Sequence, residues 1–214
     1  LPAVAVVPSE AFNTVLYTGT GSSNAITGVG FQPEMTMISE RDESEAVAIV
    51  DILRSNTVEL NFSGTAGESD DAQKITAIGV DGFTVGTSAA ANQNTNAHVS
   101  YHWKFGGAGS ANTAGSLNST VSVNTDAGMS IVKYTGNQAS AQTVGHGLGA
   151  VPEMMWVKNI DRTKAWSFYH VDLGNTHSLS QTDAGTYDNV NRWNDTTPTS
   201  TVFSLGDDAH TNGN

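Results

Sequence analysis

The sequence predicts an all-β fold built as two tandem, related β-sandwich domains of jelly-roll-like form. The first observation behind this is a repeat. VGFQPEMTMISERD at 29–42 returns as LGAVPEMMWVKNID at 148–161, with Pro33 and Pro152, and Asp42 and Asp161, each offset by 119 positions. VLYTG at 15–19 answers VKYTG at 132–136 (offset 117), and GFTVG at 82–86 answers VFSLG at 202–206 (offset 120). The order of motifs is kept while the offset drifts by only a few residues, so the chain reads as an internal duplication with its insertions in loops. The second observation is periodicity. No useful window is helical, while β-branched and aromatic residues come in short runs punctuated by Gly, Asn, Asp and Ser. The third is turn chemistry: Asp81-Gly82 marks a hairpin, and short strands without intervening helices favour sandwiches over a parallel sheet.

The elements follow in chain order. Residues 1–11 are expected to be a linker arriving from an upstream region, because the apolar run LPAVAVVP is short, lacks a basic flank and is closed by Pro8. The first domain, 12–105, is expected to contain strands at 13–18, 34–41, 46–54, 57–62, 73–79, 82–87 and 97–105. In the last of these His98, Ser100 and His102 alternate with Val99, Tyr101 and Trp103. Residues 106–128 begin as a Gly- and Ser-rich linker and then alternate through Leu117, Thr120 or Val121, and Val123, which suggests a bridging strand. The second domain, 129–214, is expected to place strands at 129–135, 153–159, 165–173, 178–181 and 200–205. It stops where the counterpart of 97–105 would begin, so its last strand is expected from residues outside the sequence.

Composition excludes several function classes. Among 214 residues, 21 acidic side chains face 9 basic ones, for a net charge of -12. Nothing there would neutralise phosphates, so neither a nucleic acid nor an anionic membrane is an expected partner. No cysteine is present, which removes disulfides, thiolate metal sites and a cysteine nucleophile.

The chemistry-bearing residues are sparse. His146 sits between glycines in GHGLG, but the first repeat has Val29 in that place, so the motif reads as a turn. A phosphate loop would need a helix where Pro152 and a strand follow. The acidic runs at 40–45 and 68–71 lack the spaced pattern of a calcium loop and read as solvated hairpin ends. A glycosidase pair would need two carboxyls facing one another across a groove. His98 and His102 share a strand face but stand too far apart for one ion. No catalytic residue, metal site or cofactor is therefore expected. Ligand contact falls instead to aromatic residues that stack on sugars: Trp166 and Tyr169 in AWSFYHVDL and Trp193 in NVNRWND, with Asn191, Asn194 and Asp195 hydrogen-bonding at the rim.

The segments FNTVLYTGTGSSNAITGVGFQPEM, DGFTVGTSAAANQNTNAHVSYHWKFGG, GMSIVKYTGNQASAQTVGHGLGAVPEMMWVKNID and WNDTTPTSTVFSLG, in that order, resemble the duplicated β-rich domain of tail-fibre and related virion proteins of tailed bacteriophages, including marine and cyanobacterial phages. The likeness covers about residues 12–214. It implies a bacteriophage virion structural protein on the tail or capsid exterior, a tail-fibre or receptor-binding segment for host attachment, homo-oligomeric and often trimeric, with other virion proteins and a host-surface glycan as partners. It implies no catalytic residues. A decoration protein with a purely assembly role is the alternative within that class, and a polysaccharide depolymerase the alternative outside it. Family members usually carry an aromatic where the first repeat has MTMISERD (compare MMWVKNID), so the resemblance speaks against a binding role in the first unit.

Overall fold

The computed structural model describes residues 7–182 and 185–213. It is an all-β protein whose strands pair antiparallel, and the chain divides into two compact units. The first comprises residues up to 63 together with 68–107; the second comprises 64–67 together with the chain from 108 onward.

In the first unit the strands are β1 (Phe12–Thr18), β2 (Asn24–Thr27), β3 (Met35–Glu40), β4 (Ala48–Asp51), β5 (Val58–Asn61), β6 (Ser69–Asp70), β7 (Ile75–Gly79), β8 (Gly82–Val85) and β9 (Ala97–Trp103), with a one-turn helix α1 (Ala89–Asn92) between the last two. They form a six-stranded sheet, β1-β9-β3-β4-β5-β6, and a three-stranded sheet, β2-β8-β7. The first strand lies beside the last and the second beside the penultimate, as in a jelly roll, whereas β3 to β6 run on as a meander. Ile38 and Val50 from the large sheet pack against Ile26, Ile75, Phe83 and Val85 from the small one, with Ala91 of α1 at the end. Every second residue of β9 points into this core: His98, Ser100 and His102 are buried.

The second unit holds β10 (Ser110–Asn112), β11 (Ser119–Asn124), β12 (Met129–Tyr134), β13 (Gln142–Gly145), β14 (Met154–Val157), β15 (Ser167–His170), β16 (His177–Ser180), β17 (Thr186–Asp188) and β18 (Val202–Leu205), with a one-turn helix α2 (Val190–Trp193) before β18. Its sheets are β10-β11-β12, β13-β18 and β14-β15-β16-β17. Val144, Tyr169, Trp193, Phe203 and Leu205 form the core, flanked by Leu117, Val132, Tyr134, Met155 and Val157. The stretch 106–128 does more than link: from residue 108 it belongs to the second unit, and β11 is the central strand of a sheet.

Many contacts recur at the offsets seen in the sequence. Tyr17 Oη donates to Ala91 O at 2.6 Å and Tyr134 Oη to Thr211 O at 2.5 Å. Tyr17 meets Phe83 edge-on at 6.0 Å, as Tyr134 meets Phe203 at 6.0 Å. Two fully buried asparagines, Asn92 and Asn212, occupy matching positions. Asn92 Oδ1 accepts from Thr20 N (2.8 Å), its carbonyl accepts from Gly21 N (2.8 Å), and its Nδ2 donates to Gly86 O (2.6 Å) and Ser22 O (2.5 Å). Asn212 repeats this with Asn137 N (2.9 Å), Gln138 N (2.9 Å), Gly206 O (2.7 Å) and Ala139 O (2.8 Å). A buried amide side chain that satisfies both its donor and its acceptor in this way ties the loop after the first strand to the segment that follows the hairpin strand, without help from a sheet.

Candidate functional site

The aromatic residues expected to stack on sugars are not at the surface. Trp193 is 1% exposed, and Trp166 and Tyr169 are also buried. The sequence placed Trp193 in a loop; it stands on α2 and turns into the core, its ring 6.0 Å from that of Tyr169 in an edge-on pair. The polar residues expected at the rim shape the chain. Asn191 donates its N–H to the Asn189 side chain that caps α2 (3.0 Å), and its carbonyl accepts from Asp208 N (2.9 Å). Asn194 and Asp195 have φ of 53° and 45°, so the helix ends on consecutive left-handed residues, a conformation that Asn and Asp tolerate better than most residues. The expected sugar platform is therefore corrected: its aromatic members are core, and Asn194 and Asp195 form a helix stop.

His102 and His146 are likewise built in. His146 is buried, its Nδ1 accepting from Leu148 N (3.2 Å) and its Nε2 donating to Thr199 O (3.1 Å). Burial lowers its pKa, and the loss of hydration outweighs the opposing carbonyl contact. His102 bridges Thr36 Oγ1 (3.0 Å) and Ser100 Oγ (2.9 Å), and burial lowers its pKa to about 4. Asp208 caps the turn that carries Asn212: His210 N and Nδ1 donate to its Oδ1 at 2.7 and 2.8 Å, and Arg192 Nη2 to its Oδ2 at 3.3 Å. Burial pushes the Asp208 carboxyl up, but the His210 hydrogen bonds and the Arg192 charge outweigh it and hold the pKa well below the usual range. Asp81, the residue of the expected hairpin turn, reaches back to accept from Gly28 N (3.2 Å) and Gly30 N (2.5 Å). Both glycines have left-handed φ, which turns their N–H groups into a small anion nest.

The first unit contains a cavity of about 340 Å³ bordered by Pro33, Glu34, Asp51, Arg54 and Asn56. Arg54 pairs with Asp51 at 2.6 Å, while Glu34 Oε2 and Arg54 Nη1 are buried without hydrogen-bond partners. Opposite charges facing one small space suit bound water or a small polar molecule. They do not assemble a nucleophile with a base.

The second unit carries an apolar row on the outer face of its four-stranded sheet. Trp156, Phe168 and Leu179 are successive cross-strand partners on β14, β15 and β16. Trp156 is 40% exposed and Leu179 37%, with Phe168 half-buried and edge-on to Trp156 at 6.1 Å. The first unit has a row at the same offset of 119, Met37, Ile49 and Leu60, and there the exposures are 9%, 3% and 6%. Trp156 is not among the residues that the sequence points to, because a tryptophan on a strand is indistinguishable from core until the facing layer is known.

Among the described residues no group of three or more His, Cys, Asp or Glu side chains is placed to hold a metal ion, and no helix is long and apolar enough to cross a membrane. Fold and surface together define an all-β protein of two antiparallel-sheet units, with an exposed aromatic and aliphatic row on one sheet of the second. The family model described as a domain of unknown function, DUF7483, matches residues 7–214, and the chain belongs to that family. No curated protein and no solved structure matches it.

Proposed function

We propose that the chain is a structural component of a bacteriophage virion, a tail-fibre or receptor-binding segment on the particle exterior that serves host attachment by assembling into a homo-oligomer, with a trimer favoured. The observation that carries the assembly reading is the row Trp156, Phe168 and Leu179: it repeats the buried row Met37, Ile49 and Leu60 in pattern but is more exposed, with Trp156 at 40% and Leu179 at 37%. A partly exposed aromatic and aliphatic row on a sheet face is a typical subunit contact. The virion setting rests on the resemblance over residues 12–214. We further infer, from the recurring Tyr and Asn hydrogen bonds, that the two units are repeats of one structural plan. The reading is non-enzymatic and needs no cofactor.

The test is the mass in solution of the wild-type chain and of the Trp156→Asp variant across a range of concentrations, followed by host adsorption of particles carrying each. Wild-type oligomers that dissociate in the variant support the reading; a wild-type chain that stays monomeric throughout removes it. Labelled-particle microscopy separates a tail location from a capsid decoration role.

A further inference from the structure

The cavity of the first unit lies between the start of β3, the turn after β4 and Ile78 of β7, with the buried residues Thr36 and Val50 among its walls. Those walls are tied from several sides. Ile52 N donates to Glu34 O (2.7 Å), Arg54 N to Asp51 O (3.2 Å), and Asn56 Nδ2 to Ile75 O (2.8 Å). Asp51 is spent on the turn itself: its Oδ1 accepts from Leu53 N (3.0 Å), and its Oδ2 from Arg54 Nε (2.8 Å) and Nη2 (2.6 Å). This ion pair fixes the guanidinium, whose side chain is 5% exposed, and leaves its other edge, Nη1, with no acceptor in the protein. Glu34 Oε2 is buried without a donor. Polar atoms left unpaired out of water cost free energy, and charged groups cost the most, so stability of the fold does not explain the arrangement. Nor does the turn require it. In the second unit Val171 N donates to Glu153 O (2.8 Å) as Ile52 N does to Glu34 O, and Met154↔His170 repeats the register of Met35↔Asp51, yet His170 and Leu173 stand where Asp51 and Arg54 would be and Glu153 is exposed.

We propose that this cavity is a binding site for a small cationic amine that also carries a neutral oxygen acceptor, the chemistry of an amino alcohol or an amino sugar. The charges decide the class. The charged side chains bordering the space are Glu34, Asp51 and Arg54; Asp51 and Arg54 cancel in their ion pair, which leaves the negative charge of Glu34 to be met. An ammonium answers it with a charge-assisted hydrogen bond to Oε2. Arg54 Nη1 can only donate, and a hydroxyl accepts from it without bringing a further negative charge beside Glu34 and Asp51. A carboxylate would bring one. Simple acids are therefore disfavoured, and a neutral polyol leaves Glu34 without its counter-charge. Pro33, Val50, Ile52 and Ile78 offer apolar surface to the carbon skeleton of such a ligand. The volume of about 340 Å³ stands near the lower end of the roughly 300–1,000 Å³ of small-molecule pockets, which suits a ligand of monosaccharide size. The inference is independent of the assembly reading, whose apolar row belongs to the second unit.

The experiment titrates the unmodified chain with glucosamine and with glucose, two molecules of nearly equal shape that differ by an ammonium for a hydroxyl, and follows amide chemical shifts by NMR. Both titrations are repeated on Glu34→Gln. The expected result is saturable glucosamine binding with shifts centred on residues 33–36 and 50–56, at least about tenfold tighter than glucose, the factor that one charge-assisted hydrogen bond supplies. Glu34→Gln should abolish the difference between the two sugars. Absence of saturable glucosamine binding up to about 100 mM overturns the proposal. Equal affinity of the unmodified chain for both sugars also overturns it, as do shifts scattered over the acidic surface or a preference that survives in Glu34→Gln. Should Glu34→Gln not fold, the unmodified chain decides with ethanolamine and ethylene glycol: tighter binding of the amine at the same two segments supports the proposal, and parity rejects it.

Discussion

At the residue scale the account turns on a few polar groups that work inside the protein rather than on its surface. Asn92 and Asn212 each tie two segments together from a fully buried position. Replacing either with alanine leaves backbone N–H and C=O groups unsatisfied, and should cost on the order of 2–4 kcal/mol in its own unit, read as a lower denaturation midpoint for that unit. His102 gives a pH signature. Its folded pKa of about 4 lies below the unfolded value, so the neutral form is favoured in the folded state and the stability it reflects is complete above about pH 6.5. As pH falls from there towards 4 the unfolded chain takes up a proton that the folded chain refuses, and stability of the first unit declines by up to roughly 3 kcal/mol. Denaturant titrations between pH 7 and 4 should show that slope, and His102→Asn should flatten it. Asp208 acts lower: with its pKa depressed, its stabilisation is present above the ordinary carboxyl range and is lost as pH falls through it, which Asp208→Asn should remove from the second unit.

At the element scale the two short helices do what strands alone would not. α1 brings Ala91 O to Tyr17 and Asn92 to its loops, while α2 turns Trp193 into the core of the second unit. Trp193→Ala should remove about 3–5 kcal/mol and unfold that unit selectively, whereas a sugar-stacking role would have left stability almost unchanged. These helices were not legible in the sequence because four residues carry no period. The strands at 13–18, 34–41, 82–87 and 97–105 were, since their alternation and flanking turn residues are local signals. β2 and β13 were missed because NAIT and QTVG look like parts of the polar stretches around them; they become strands only by pairing with β8 and β18. The buried state of Trp193 and the open state of Trp156 were illegible for one reason: alternation fixes which side chains share a face, but only the tertiary arrangement decides which face is covered.

At the scale of the whole molecule, the net charge is -12, and with no cysteine in the sequence the stability of each unit rests on packing and buried hydrogen bonds. The row Trp156, Phe168 and Leu179 is the surface through which we propose that one copy joins another. Sedimentation equilibrium of the wild-type chain beside Trp156→Asp tests this most directly. The account predicts a discrete oligomer for the wild type and a monomer for the variant with an unchanged circular dichroism spectrum. Identical masses for the two proteins would contradict it.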